Sequence, residues 1–343
     1  MRDNQRTHHP KVSVLMSAYN AAPFLREAVD SVLNQSFRDF EFIIFDDKSS
    51  DRSLEILKSC RDERIMLVEN TQNQGLTKNL IRGMELARGG YVARMDADDV
   101  CLPHRLQTQA GFLERHSEIS VVGSAVIFFD DSGYEFVAHQ PAGHDEIKCE
   151  LLYGFTVLHP SAMLRKDDLS RHGLTYDPHF VCSQDHDLWT RAIRLLRFAN
   201  VHEPLLKMRD HPKKIGRTER STQEELSDAI RRRQLDELGV DYTVDEVRAF
   251  NRAAGGFPAG SILDLHHYES ILLKVFKSNK ERRIFEPDLL QSLGAGRFRA
   301  WCREALIRGQ KWGRYYWHSK VRSFDSCPFR QKLGFVWRSI SCP

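Results

Sequence analysis

Long apolar segments are missing from this sequence of 343 residues, and their absence excludes a membrane-spanning protein. No run approaches the ~18 apolar residues that a helix needs to cross a bilayer. The longest one, Ile119 to Phe129, lies between acidic residues and is predicted to be a buried strand. The polar segment from Met1 to Lys11 has no apolar core and is unlike a signal peptide. We therefore expect a cytoplasmic protein without transmembrane helices.

Paired cysteines are missing, and the spacing of the cysteines argues against a structural zinc site or a disulfide framework. The seven cysteines are scattered, no two form a CxxC pair, and no histidine lies at zinc-site spacing from them. This pattern is typical of free thiols in a reducing cytoplasm. The net charge of +3 is too small to imply a nucleic-acid partner by itself.

The first half of the sequence alternates strand and helix patterns. Lys11 to Tyr19, Phe40 to Phe45, Tyr91 to Met95 and Ser120 to Phe129 are compact, β-rich runs, and amphipathic helical patterns separate them, the first opening at Pro23. Strands that alternate with helices of about a dozen residues indicate a parallel sheet built from βαβ units. We therefore predict an α/β fold with helices on both sides of a mostly parallel sheet.

Polar residues follow three of the predicted strands. Ser17 to Asn20, Asp46-Asp47 and Asp96 to Asp99 each stand where a strand ends. In open α/β sheets, ligands bind at the carboxyl ends of the strands. The topology therefore predicts that these three segments meet at one edge of the sheet.

The acidic segment Asp96-Ala97-Asp98-Asp99 is a candidate cation site. Mg²⁺ and Mn²⁺ are typically held by one or two carboxylates together with phosphate oxygens. Alternate side chains of a strand share a face, so Asp96 and Asp98 are expected to converge. A solvated acidic turn is the alternative, because a DxD sequence alone is a weak signal.

Three other residues have one chemical and one structural interpretation each. Asp47 could accept a hydrogen bond from a ribose hydroxyl or a base N–H, although Asp51 nearby fits a helix cap. Asp185 opens a helical pattern, where it could act as a general base or only complement the helix dipole. His211 lies in a polar segment and, taken alone, fits an exposed loop.

Taken together, these motifs resemble family 2 glycosyltransferases. In chain order, the matching segments are Val12 to Asp51, Asn73-Gln74-Gly75-Leu76 with Asn79, Gly90-Tyr91-Val92 before MDADD, Pro103-x-Arg105-Leu106, His159-Pro160, and DHDLW from Asp185. The resemblance covers residues 11 to 212. It implies the Rossmann-like GT-A fold and an inverting transfer from a nucleoside-diphosphate sugar, with Mn²⁺ or Mg²⁺ as cofactor.

The resemblance also implies roles for individual residues. The nucleotide sugar would be bound by Ser17, Tyr19, Asn20, Asp47, Asn79 and Asp96. The metal ligands would be Asp98, Asp96 and His211, and the catalytic base would be Asp185. The family usually has Glu-Asp where this chain has Gln184-Asp185, which changes a residue that tends to contact the acceptor.

The specific substrates are predicted more coarsely. We expect a hexosyl or N-acetylhexosaminyl group, carried by UDP, to be transferred to a hydroxyl of a glycan or a lipid-linked saccharide in polysaccharide biosynthesis. A nucleotidyltransferase is an alternative, but it usually has a glycine-rich, basic loop after the first strand, and here that turn is Ala18 to Ala22. A non-catalytic module that binds nucleotide sugars is a second alternative, against which the joint presence of Asp96, Asp98 and Asp185 argues.

The C-terminal region differs from the rest in composition. Residues 1–212 are predicted to be the catalytic domain and residues 213–343 a mainly helical region. From Arg297 to the end, 11 Lys or Arg stand against two acids, a balance of +9, among ten aromatic residues. This tail could pack as a helical cap on the catalytic domain, dock on an anionic membrane surface, or bind RNA. The enzymatic prediction favours the inner face of a membrane over RNA, so no nucleic-acid partner is expected.

Overall fold

The computed structural model describes most of the chain, namely residues 9–154, 156–212, 214 and 218–327. These residues form two compact units. The first contains residues 9–147 and 156–223, and the second contains residues 148–154 and 224–327. The sequence pattern did not indicate that 148–154 belong with the C-terminal residues, and the domain boundary after residue 212 stays a proposal.

The strands all belong to the first unit and form one sheet. They are β1 (Val12–Ala18), β2 (Phe40–Asp46), β3 (Ile65–Glu69), β4 (Tyr91–Asp96), β5 (Val100–Cys101), β6 (Ile119–Phe129), β7 (Glu135–Ala138), β8 (Met163–Arg165) and β9 (Arg197–Arg209). The order is β3-β2-β1-β4-β8-β6-β9-β5, with β7 paired to β6. The β3-β2-β1-β4 half is parallel, as predicted, whereas β8 pairs antiparallel with both β4 and β6.

Eleven α-helices surround or follow the sheet in the part of the chain described. They are α1 (Ala22–Leu33), α2 (Ser53–Ser59), α3 (Leu76–Leu86), α4 (Arg105–Arg115), α5 (His144–Glu150), α6 (Lys166–Arg171), α7 (Gln184–Ala192), α8 (Arg220–Glu237), α9 (Val244–Ala254), α10 (Ile262–Arg282) and α11 (Pro287–Ile307). In α1, Pro23 stands in the first turn, and Leu25, Ala28, Val29 and Val32 are buried at the spacing of one helix face. No described helix is both long and apolar enough to span a membrane.

The register of the sheet brings the predicted polar segments to one edge. Ser17 on β1 lies opposite Asp96 on β4, and Ala18 lies opposite Asp46 on β2. These parallel strands are almost wholly buried, because helices cover both faces of such a sheet. The strand ends are where polar groups become available to a ligand.

A 3₁₀ turn precedes β8. It contains His159–Ser161, and the strand itself covers only Met163–Arg165. Pro160 stands at the start of this turn, where its fixed φ suits a helical conformation. The turn places His159 in the interior.

The second unit has its own core, and the aromatic residues of the C-terminal region belong to it. Phe298, Trp301 and Tyr316 are buried, and Trp312, Tyr315, Trp317 and Phe324 pack against the same cluster. The three remaining aromatic residues of the tail (Phe329, Phe335 and Trp337) lie outside the described residues. The seven described aromatic side chains therefore serve the packing of this unit.

Candidate active site

Three aspartates form an acidic cluster at the end of β4. Carboxylate oxygens of Asp96, Asp98 and Asp99 lie within 4.8 Å of one another. The predicted convergence is present, but its expected cause is wrong. The strand ends at Asp96 and a turn follows, so the turn, and not strand alternation, brings Asp98 back beside Asp96.

Each of the three carboxylates has a different environment. Asp96 forms an ion pair with the buried Arg94. Asp98 Oδ2 lies 2.8 Å from His211 Nε2. Asp99 is fully buried, and its Oδ1 accepts a hydrogen bond from the backbone N–H of Arg209 at 3.0 Å. Its Oδ2 has no hydrogen-bond partner among the described residues.

The electrostatics of the cluster favour a cation. Burial raises the pKa of Asp99 well above its usual value, and the charges of Asp98 and Asp96 raise it further. Burial also raises the pKa of Asp96, with Arg94 opposing the shift and Asp98 adding to it. Hard oxygen ligands in a group of this size suit Mg²⁺ or Mn²⁺. The orphaned Oδ2 of Asp99 and the crowded negative charge thus fit a divalent cation.

Asp185 lies at the start of α7, in the same electrostatic neighbourhood. Burial raises its pKa to about 6, while a hydrogen bond from the backbone N–H of His186 and the charge of Arg94 oppose the shift, and Asp96 adds to it. The chain enters α7 through Ser183, a non-glycine residue in the left-handed region at φ 57°. Such conformations often cluster at active sites, where they fix the direction of a side chain.

Arg94 is the cation shared by this neighbourhood. It stands two residues before Asp96 on β4 and is buried. Besides Asp96 and Asp185, its charge acts on a buried pair in which His159 Nε2 lies 2.8 Å from Tyr176 Oη. Burial and Arg94 hold the pKa of His159 well below its usual value, so this imidazole is neutral at pH 7.

Asp47 is engaged by the protein itself. Its Oδ1 accepts hydrogen bonds from Asn70 Nδ2 and the backbone N–H of Gln74, both at 2.8 Å, and its Oδ2 accepts one from the N–H of Gly75 at 2.9 Å. Gly75 has φ 81°, a conformation that glycine adopts without strain. Asp47 therefore fixes the backbone at the start of α3. The sequence predicted a contact with the nucleotide for Asp47 and did not predict this structural role.

The other residues predicted to bind the nucleotide sugar surround this segment. Asn79 on α3 accepts a hydrogen bond from Asn70 and donates one to Ser17 Oγ, at 2.8 and 2.9 Å. Asn20 Oδ1 accepts hydrogen bonds from the loop after β2, including one from the N–H of Ser50 at 2.8 Å. Tyr19, which precedes Asn20 in the loop after β1, is exposed. Ser17, Asn20 and Asn79 are thus tied into the strand ends, whereas Tyr19 is available to a ligand.

The sequence interpretation missed three cations around the acids. Arg94 shares a strand face with Asp96 by the period of two, and that signal could have identified it. Arg209 contacts Asp99 through its backbone and the carbonyl of Asp98 through Nε, at 3.0 and 3.2 Å. The positive charge of Lys214 opposes the rise in the pKa of Asp96 and of Asp99. Arg209 ends β9 and Lys214 follows it, and no local pattern connects them to β4.

Comparison with known proteins identifies the family. The sequence profile described as "Glycosyl transferase family 2" matches residues 13–174. An uncharacterized glycosyltransferase of Methanocaldococcus jannaschii is 35% identical over 207 residues, which make up 58% of this chain and 71% of that protein. The chain belongs to glycosyl transferase family 2. Membership decides against the nucleotidyltransferase alternative.

Two further similarities extend the comparison of this glycosyltransferase. The amylovoran biosynthesis glycosyltransferase AmsE of Erwinia amylovora is 31% identical over 202 residues, covering 57% of this chain and 75% of that protein. The crystal structure of S. aureus TarS in complex with UDP-GlcNAc superposes with a TM-score of 0.58 and 16% identity, covering 88% of this chain and 92% of the TarS chain. The TarS likeness bears on the fold, and the predicted GT-A fold with a helical C-terminal region is confirmed.

Proposed function

We propose that this glycosyltransferase moves a sugar from a UDP sugar to a hydroxyl of a glycan or lipid-linked saccharide, with inversion at the anomeric carbon. The observation that carries this proposal is the cluster of Asp96, Asp98 and Asp99 after β4, together with Asp185 at the start of α7, whose pKa the charge of Asp96 raises. The UDP-GlcNAc complex of TarS supports a UDP donor and an N-acetylhexosaminyl group. The name of AmsE supports a role in polysaccharide biosynthesis.

Asp185 is the proposed general base. Its pKa of about 6 leaves it ionised at pH 7, yet basic enough to accept a proton in the transition state. Asp185 takes the proton of the acceptor hydroxyl as that oxygen forms a bond to the anomeric carbon. The bond from this carbon to the diphosphate oxygen breaks, and its electron pair leaves with UDP.

The acidic cluster and its neighbours are proposed to hold the diphosphate end of the donor. Asp98 and Asp96, with His211 beside Asp98, would hold a divalent cation. When bound, this cation neutralises negative charge that grows on the leaving diphosphate. Lys214 adds a positive charge near Asp96 and Asp99, and Tyr19, Ser17, Asn20, Asn79 and Asp47 are proposed to shape the nucleoside end.

Attachment to an anionic membrane surface is proposed on the basis of charge alone. Arg303, Lys311 and Lys320 are exposed cations of the second unit, and each Lys or Arg near such a surface contributes about 1 kcal/mol of attraction. The described aromatic residues of the tail are buried in the core of this unit or packed against it, so they do not carry this proposal. A lipid-linked acceptor would make such attachment useful.

The test of the function is a screen of nucleotide sugars for release of UDP or GDP. The protein is assayed with Mn²⁺, with Mg²⁺ and with a chelator, and calorimetry measures UDP binding under the same three conditions. Slow hydrolysis of one UDP sugar, dependent on the cation, is expected even without an acceptor. Cation-dependent UDP binding without turnover of any donor would favour the non-catalytic binding module instead.

A further inference from the structure

Arg209, the last residue of β9, touches two members of the acidic cluster at once. Its backbone N–H donates to Asp99 Oδ1 at 3.0 Å, and its side-chain Nε donates to the carbonyl oxygen of Asp98 at 3.2 Å. The first contact holds the carboxylate of Asp99, and the second fixes the peptide that carries Asp98. One residue thus sets the direction of both acids.

The guanidinium of Arg209 is itself fixed by three other segments. It lies over the rings of Phe24 on α1 and Phe129 on β6, at 4.8 and 4.5 Å from their centroids. Its two terminal nitrogens form ion pairs with Glu27 on α1 and with Asp131, which follows β6, the latter at 3.2 Å. The side chain is 9% exposed, whereas those of Glu27 and Asp131 are 59% and 78% exposed. The guanidinium group, a planar fork of three nitrogens, is therefore held mainly by the two rings and to a lesser degree by the exposed carboxylates.

The same arrangement extends to His211. It lies two positions after Arg209, and the centroid of its ring lies 4.7 Å from that of Phe24, the ring that also supports the guanidinium. Its Nε2 lies 2.8 Å from Asp98 Oδ2. Lys214 also contacts Arg209, because its Nζ donates a hydrogen bond to the Arg209 carbonyl oxygen at 3.0 Å. The charged groups that face Arg209 are thus Glu27, Asp131 and the acids of the cluster, with Lys214 on its carbonyl.

We propose that Arg209 is a positioning residue that aligns Asp98, Asp99 and His211 for binding a divalent cation with the donor diphosphate. The physical reason is preorganisation. Groups that orient metal ligands from behind change metal affinity although they do not touch the metal. A planar fork can hold a carbonyl and two carboxylates together, which the point charge of lysine cannot do. This inference rests on the proposed cation-dependent binding of UDP.

The test compares Arg209→Lys with the wild type by calorimetry of UDP binding across a Mn²⁺ titration. The substitution keeps the charge and the backbone N–H to Asp99, and it removes the fork. We expect the Mn²⁺ concentration for half-maximal UDP binding to rise about tenfold, with UDP affinity in the absence of cation unchanged. For the donor that the screen identifies, KM should rise more than kcat falls, because Arg209 touches neither the base nor the acceptor.

Arg165→Lys is the matched control. Arg165 on β8 also pairs with an acid, Asp168, at 3.3 Å, and lies over a ring, Tyr91, at 5.4 Å from its centroid, but among the described residues it makes no contact with the acidic cluster. A melting temperature lowered equally in both variants, without a change in the Mn²⁺ requirement of Arg209→Lys, would make Arg209 a residue of the fold only and overturn the inference.

Two exposed partners provide a second route to the answer if Arg209→Lys fails to fold. Glu27→Gln and Asp131→Asn each remove the carboxylate that pairs with one terminal nitrogen of Arg209. Each is expected to raise the Mn²⁺ requirement by a smaller factor than Arg209→Lys does. An unchanged requirement in both variants and in their combination counts against the inference. Wild-type binding of UDP that is the same with and without Mn²⁺ would overturn the proposed cation site, and the role of Arg209 with it.

Discussion

Asp98 is the residue whose removal distinguishes a cation site from an acidic turn. Its carboxylate is paired with His211 and takes no other part in the described hydrogen bonds of the fold. Asp98→Asn should therefore abolish the effect of Mn²⁺ on UDP affinity, because so few carboxylates hold the ion, while the melting temperature changes little. Calorimetry with and without Mn²⁺ measures this.

The control for Asp98 is Asp62→Asn. Asp62 is paired with Arg64, and its side chain is 24% exposed, close to the 22% of Asp98. This control should retain the full effect of Mn²⁺. A variant Asp98→Asn that still bound UDP more tightly with Mn²⁺ would show that the ligands lie elsewhere.

Asp185 should determine the acidic limb of the rate profile. Burial raises its pKa to about 6, and a base is active only when deprotonated, so kcat should fall as the pH drops through about 6 and level off above it. Asp185→Asn should lower turnover by roughly 10²–10⁴-fold and remove this limb, with UDP affinity retained. Rates of the purified variants between pH 5 and 8 provide the measurement. If Asp185→Asn turned over donor and acceptor at near wild-type rate, the residue would be only a helix cap.

At the start of α3, the carboxylate of Asp47 stabilises the backbone and is also proposed to contact the nucleotide. Asp47 accepts the N–H groups of Gln74 and Gly75 and the amide of Asn70. Asp47→Ala leaves the partly buried N–H of Gln74 without a described acceptor and removes one of two acceptors from the N–H of Gly75 and from the amide of Asn70. A buried group left unsatisfied costs about 1–3 kcal/mol. We expect a lower melting temperature without any nucleotide present, together with weaker UDP binding.

Thermal unfolding of Asp47→Ala, with and without UDP, checks this expectation, and Asp51→Ala is its control. Asp51 also accepts backbone hydrogen bonds, from Ser53 and Ala22 at 2.9 and 3.1 Å, but its contacts are more exposed, so its loss should cost less. If Asp47→Ala weakened UDP binding at an unchanged melting temperature, Asp47 would act on the nucleotide and not on α3.

The elements of the sheet were predictable where their patterns are local. Strands such as β1 and β2 and the amphipathic face of α1 follow from runs of apolar residues, and the strand ends identify the edge that carries Asp46 and Asp96. Antiparallel pairing of β8 was not predictable, because the 3₁₀ turn at His159 that precedes it has no helical period. The roles of Arg209 and Lys214 depend on β9 lying beside β6, a contact between distant parts of the chain that no local spacing reveals.

At the scale of the whole chain, composition left two interpretations of the C-terminal region open, a packed helical cap and a membrane-binding surface. Interleaved basic and aromatic residues after Arg297 are typical of a membrane interface, yet Phe298, Trp301 and Tyr316 are buried in the second core. Basic residues there also have internal partners. Arg297 pairs with Glu150, and Arg299 pairs with Asp325. Aromatic content alone therefore could not distinguish a core from a membrane-binding surface.

The C-terminal helices are consequently expected to be needed for a folded second unit. A chain that ends at Glu286 loses α11, whose buried residues include Leu290, Phe298 and Trp301. Removal of a single large core side chain typically costs about 3–5 kcal/mol, and a domain is stable by only about 5–15 kcal/mol. The truncated chain should therefore aggregate or lose its cooperative unfolding transition, as sedimentation and calorimetry would show.

A test of membrane attachment needs a variant that leaves this core intact. Arg303→Gln, Lys311→Gln and Lys320→Gln change exposed cations only, so the triple variant should keep the melting temperature of the wild type. If charge attracts the protein to anionic liposomes, the wild type should sediment with them at low salt and less at high salt, because salt screens exposed charges over ~10 Å at 0.1 M. The triple variant should sediment less than the wild type under both conditions. If the wild type stays in the supernatant with anionic liposomes at low salt, the proposal of membrane attachment is wrong, and only the packing role of the tail remains.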